Sequence, residues 1–215
     1  MSDTVTLSEL ERDALTELLN IGVSRAAASL RKMVGEQVLL SVPAVEIVDH
    51  KAAAALIGER ENDELVAVQQ NFSGAFCGRA LLIFPRASSV ELVRAVAGDD
   101  MPAGDAAEME REALAETGNV ILNGCMGTMA NMLRRPLTMS LPEVAHGYST
   151  DLFHLHGHTP DDGLVLFLYI NFSVRSRNIR GYIAMLLDLP SFNALRRLIA
   201  DFIATVMDDD ADLAG

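Results

Sequence analysis

The chain has 215 residues, 50% of them apolar, a formal net charge of −13 and a pI of about 4.7. Such a length buries one sizeable core or two small ones, and such a charge repels phosphate backbones and anionic lipids, which disfavours nucleic-acid and membrane-surface roles. With no apolar run near the ~20 residues of a membrane span, and no basic segment leading into an apolar one at MSDTVTLSELERD, the expectation is a cytoplasmic chain with no signal peptide and no membrane insertion.

Apolar residues recur at helical spacing through Leu7, Leu10, Ala14, Leu18, Ile21 and Ala28, predicting a helix over 7–34 that faces the core with this set. Ser8 is its expected N-cap, with Glu11 three residues on as in a capping box, and Gly35 is its stop. QVLLSVPAVEIV (37–48) reads as a strand, and Pro43 inside it calls for an edge or a bulge. A short Ala-rich helix follows at 50–58, then strands at 64–73 and 77–85 joined by a glycine turn, then a helix at 86–97. GDDMPAG (98–104) is the linker. Past it come a helix at 106–133, a strand at 136–146, a short irregular piece, strands at 163–174 and 179–189, and a helix at 191–207. The acidic tail is expected to fray, and the pairs Asp99-Asp100 and Asp161-Asp162 to sit in turns. Cys77 and Cys125, without CxxC spacing, are expected as buried free thiols.

The second half thus replays the first, and three anchors align them. Glu17 and Asn20 map onto Glu116 and Asn119, and Pro43 maps onto Pro142, at an offset of 99; Asn71-Phe72-Ser73 maps onto Asn171-Phe172-Ser173 at 100. Near-equal offsets over half the chain indicate a duplication. The implied fold is α/β in the α+β sense: an internally duplicated pseudo-two-fold arrangement with two long helices packed on an antiparallel or mixed sheet. It forms one domain (1–215) made of repeats 7–97 and 105–207.

The polar residues of the two long helices repeat as well. At about 100° per residue, Asp13, Glu17 and Asn20 share a strip roughly 60° wide, which Ser24 extends. Glu112, Glu116, Asn119 and Asn123 repeat it. Acids and amides on a wet helix face are ordinary, but asparagine is a poor mid-helix residue, because its side chain competes for backbone bonds. Its presence twice, each time followed by twenty-two residues and a proline, points to function. Asparagine is neither base nor nucleophile, but its amide can hold one water in line with a bond to be broken; glutamate can act as a base, bind a metal or pair with a lysine. No His or Cys stands near either triplet to build a metal cage, and there is neither a phosphate loop nor a nucleophile elbow. A helix face of this kind suits chemistry in trans, with the partner bringing the phosphoryl group, the metal and the cation.

The doubled pattern Asp/Ser-x3-Glu-x2-Asn-x22-Pro resembles the CheC/CheX/FliY family of chemotaxis phosphatases. Here it reads Asp13, Glu17, Asn20, Pro43 and Glu112, Glu116, Asn119, Pro142, and Asn20-Ile21-Gly22 followed by Ala26-Ala27 and Leu30 also resembles the family's first helix. Two motifs match the CheC type best, since CheX-like members use one and FliY-like members add a switch domain for which 215 residues leave no room. Glu112 departs from the Asp or Ser the family favours. The resemblance implies a phosphatase that hydrolyses the aspartyl phosphate of CheY-like response regulators. Asn20 and Asn119 would orient the attacking water, and Glu17 and Glu116 would pair with the receiver's lysine. Asp13, Ser24, Glu112 and Asn123 would be binding residues. It further implies that this chain binds no cofactor of its own, that Mg²⁺ sits on the partner receiver, and that the CheD deamidase is a possible partner.

Two other readings compete. One is a non-catalytic binding module, a sink for a receiver domain or for CheD. The other takes His154, His156 and His158 of FHLHGH as a metal site, since alternate residues of a strand share one face. Exposed loop histidines next to TPDDG are the favoured reading of that segment.

Overall fold

The computed structural model describes residues 7–35, 37–42, 45–97, 106–154, 163–174 and 177–213. The elements are α1 (Glu9–Val34), β1 (Val38–Ser41), β2 (Val45–Asp49), α2 (His50–Gly58), β3 (Leu65–Gly74), β4 (Gly78–Pro85) and α3 (Arg86–Ala97), then α4 (Ala106–Met132), β5 (Leu137–Met139), β6 (Glu143–Gly147), α5 (Ser149–His154), β7 (Leu164–Val174), β8 (Arg177–Leu187) and α6 (Leu189–Leu213). The same order of element types occurs twice.

The α1 start is a capping box: the Glu11 N–H donates to Ser8 Oγ (3.2 Å) and the Ser8 N–H to Glu11 Oε2 (2.7 Å). Gly35 ends the helix in the left-handed region at φ 75°, and Arg134 does the same after α4 at φ 52°. The offset between these two caps is again 99 residues.

Among the described residues the strands form one antiparallel sheet, in the order β1-β7-β8-β4-β3-β5. β2 continues β1 along β7, and β6 continues β5 along β3. Each half therefore lends its first two strands to the other half's long hairpin. The registers obey the pseudo-two-fold. Leu40 faces Phe172 while Met139 faces Phe72, and Val45 faces Leu168 while Val144 faces Val68. β4 and β8 pair across the centre, with Leu82 opposite Ile183.

Alternate strand residues feed two cores, as a period of two requires. Val66, Val68, Leu82, Phe84, Leu166 and Leu168 meet α1, α3, α4 and α6 on one face. Ala67, Leu81, Ile83, Val165 and Phe167 meet α2 and α5 on the other.

Several expectations are corrected. The single strands expected at 37–48 and 136–146 are each two strands. In the second copy the break holds Pro142, which has no N–H to give to the ladder; Pro43 lies outside the described residues. The irregular piece after the strand is the helix α5, and the final helix runs through the tail to Leu213. In α1, Leu10 is 55% exposed and Ala28 is exposed, while Leu15, Leu18, Leu19, Val23, Ala26, Ala27 and Leu30 carry the core face. Both sets have helical period; the docking direction chose between them. Cys77 is exposed, whereas Cys125 is buried and burial pushes its thiol up to about 12. The linker 98–104 and both acidic pairs lie outside the described residues, as do His156, His158 and the side chain of His154. Among the described residues no three potential metal-binding side chains cluster, and no helix is long and apolar enough to cross a membrane.

Glu11 links α1 to α6 as well as capping it. Burial works against its charge, but the Ser8 N–H, the Arg196 guanidinium (Nε to Oε1, 2.9 Å) and the Ser8 hydroxyl outweigh burial and hold its carboxyl below the usual glutamate range. A lowered folded value means stability that is present above the unfolded value and lost as pH falls through the folded one. Glu11→Gln is therefore expected to be less stable than the wild type at neutral pH, with the gap narrowing in acid as pH falls below the usual glutamate range. Urea midpoints at neutral and acid pH check it, and a gap independent of pH would count against the linkage.

Candidate functional site

The strips expected on the long helices are real surface features with matched burial. Asp13, Glu17 and Ser24 on α1 are exposed and Asn20 is half-buried; Glu112, Glu116 and Asn123 on α4 are exposed and Asn119 is half-buried. The two helices lie against each other through small residues. A Cβ on Gly22 would stand 2.8 Å from Cys125 Cα, and one on Gly124 would stand 2.9 Å from Ala26 Cβ. The motifs therefore occupy neighbouring helices over one sheet. Among the described residues neither Glu17 nor Glu116 takes a hydrogen bond or an ion pair, so both carboxylates are available to a partner.

Each asparagine is tied inward by its carbonyl. The Val42 N–H, just past β1, donates to Asn20 Oδ1 at 3.3 Å. An N–H can only donate, so the carbonyl must face it and the Asn20 NH₂ is turned away from the strand. Asn119 Oδ1 accepts from Gln70 Nε2 (3.2 Å) and from Asn123 Nδ2 (2.6 Å). Gln70 cannot flip, because its NH₂ also donates to the Ser140 carbonyl at 2.8 Å. Ser140 is pinned in turn to Asn71, its N–H donating to the Asn71 carbonyl (2.8 Å) and its Oγ accepting from the Asn71 N–H (3.0 Å). An amide whose carbonyl is engaged inward presents N–H donors outward, where they can hold a water by one lone pair and leave another free to attack.

Sequence reasoning did not single out Val42, Gln70 or Ser140. The signal for Gln70 was present: at the offset of 100 it aligns with Ile170, a polar residue against an apolar one in otherwise matching strands. Ser41 and Ser140 align at 99.

A duplicated α+β protein with two Glu/Asn helix faces over a shared antiparallel sheet is the class that this fold and site define. No family model matches the chain. The flagellar motor switch phosphatase FliY of Bacillus subtilis (strain 168) is 23% identical over 175 residues, 78% of this chain and 44% of that protein. The chain thus spans less than half of that relative's length. The CheY-P phosphatase CheC of the same organism is 22% identical over 203 residues, 88% of this chain and 93% of that protein. The crystal structure of Thermotoga maritima FliY shares the fold, with a TM-score of 0.71 at 15% identity, covering 92% of this chain and all of that one. In these sequence relatives, this fold and the doubled motif, the chain is similar to the CheC/CheX/FliY family.

Proposed function

We propose that the chain hydrolyses the aspartyl phosphate of CheY-like receiver domains, with Asn20 and Asn119 each orienting the attacking water and Glu17 and Glu116 pairing with the receiver's lysine. The observation that carries this is the matched state of the two asparagines: each half-buried mid-helix, each held by its carbonyl, each beside an exposed and unpaired glutamate. The names of the relatives support the reaction class, since both are called phosphatases and one is named for CheY-P.

The chemistry asks little of this chain beyond positioning, as phosphoryl transfer allows. A water adds to phosphorus opposite the receiver's aspartate, the bond from phosphorus to the carboxylate oxygen breaks, the aspartate is left as its carboxylate, and the phosphate keeps the water's oxygen and both of its protons. Mg²⁺ held by the receiver would supply the positive charge that the phosphoryl oxygens need. Asn20 or Asn119 removes the water's freedom to turn, and Glu17 or Glu116 fixes the docking through a charge-assisted bond to lysine. A hundredfold acceleration needs about 2.7 kcal/mol off the barrier, which one well-held water can supply. The exposed strips of Asp13, Ser24, Glu112 and Asn123 extend the docking surface.

Decay of a phosphorylated CheY-like receiver, followed with and without the purified chain, tests this. Faster decay with the chain is expected, and identical decay curves would leave the binding-module reading in its place.

A further inference from the structure

Resting on the phosphatase reading above, we propose that Gln70 is a positioning residue for the α4 face alone, holding the Asn119 carboxamide with its carbonyl inward and its NH₂ outward. Gln70 is 1% exposed and stands in the row of β3 that points at the helices, between Val68 and Phe72. An amide buried in an apolar row is costly unless its hydrogen bonds are made. Gln70 makes them on one side only: its NH₂ donates to Ser140 O and Asn119 Oδ1, while its Oε1 has no partner among the described residues. A side chain buried simply to fill the core has no use for such an arrangement, whereas a bracket for Asn119 needs just the NH₂ side.

The approach of α4 to β3 makes the contact possible. A Cβ on Gly118, next to Asn119, would fall 2.5 to 2.8 Å from the Val68 side chain, two residues before Gln70 in the same row. Glycine lets the helix come down onto the strand far enough for Gln70 to reach Asn119. The α1 face lacks both parts. Leu19, 0% exposed, aligns with Gly118, and Ile170, 2% exposed, aligns with Gln70. There the asparagine is held by the Val42 backbone N–H instead. The two faces therefore present different amides. Gln70 and Asn123 occupy both lone pairs of the Asn119 carbonyl, leaving it only donors, while the Asn20 carbonyl keeps one lone pair open.

The experiment separates the faces. In a chain carrying Asn20→Ala, where only the α4 face works, Gln70→Ile is expected to lower kcat about tenfold with KM for the phosphorylated receiver unchanged. In a chain carrying Asn119→Ala the same change is expected to cost less than about twofold. Ile170 shows that the fold accepts isoleucine at the aligned position, and Gln70→Met, which keeps the length but cannot donate, serves as the second variant. Independently of turnover, NMR relaxation of the Asn119 side-chain amide should report larger ps–ns motion in both Gln70 variants. Equal kcat losses in the two backgrounds, or an unchanged Asn119 amide, would overturn the role. If the parent chain does not speed receiver decay, the phosphatase reading fails by itself, and the amide relaxation still decides the role of Gln70.

Discussion

Replacing Asn20 and Asn119 together by alanine should abolish the acceleration of receiver dephosphorylation while leaving receiver binding within about twofold. The physical reason is the division of tasks. Each asparagine carries no charge and is half-buried behind an exposed glutamate, so removing the amide removes the hold on water without touching the carboxylate that docks the partner. Losing a well-oriented water returns roughly 3 kcal/mol to the barrier, about a hundredfold in rate per face. Because the faces sit on separate helices, either single variant should retain the activity of the other face. The converse pair, Glu17→Ala with Glu116→Ala, should weaken binding more than it slows the bound complex. Receiver decay read beside a titration of affinity distinguishes the two, and a double-asparagine chain that still accelerates decay would sink the water-orienting role.

The second large effect lies where the two helices touch. Gly22→Val should cost about 3 kcal/mol of stability, at the upper end of overpacking penalties. The added Cβ would stand 2.8 Å from Cys125 Cα, and that neighbour is backbone inside α4, which cannot rotate away. The helices must part, which loosens the packing of Val23, Ala26, Ile121 and Leu122 in the core beneath. Gly127→Ala is the control: nothing stands within 4 Å of its Cβ and it lies mid-helix, so it should gain up to about 1 kcal/mol from helix propensity alone. Urea denaturation of the two variants checks the contrast, and equal midpoints would mean that α1 and α4 do not rely on this contact.

Much of the architecture was legible along the chain because it is local. A capping box, a glycine stop and an apolar period are written within a few residues of where they act, so α1, α2 and α3 fell close to their expected bounds. The repeated Glu-x2-Asn was legible for the same reason: helical phase follows from spacing, and an offset of 99 or 100 needs only counting. Where two helical periods competed, as with Leu10 and Ala28 against Leu15 and Leu19, spacing could not say which set met the sheet. Exposure of Cys77 was equally beyond it, since burial depends on what distant residues do.

By itself the sequence determined that the second half repeats the first, the two polar strips and the glutamate and asparagine on each. Only the tertiary structure decided that β1 and β2 cross to β7 while β5 and β6 cross to β3. It also decided that Gln70 ends beneath Asn119 while Ile170 stands at the aligned place in β7. Strand pairing joins residues far apart in the chain, and their register is set by which faces are buried together, so no local spacing records it. The asymmetry between two nearly identical helix faces arises there, in what the sheet places under each asparagine.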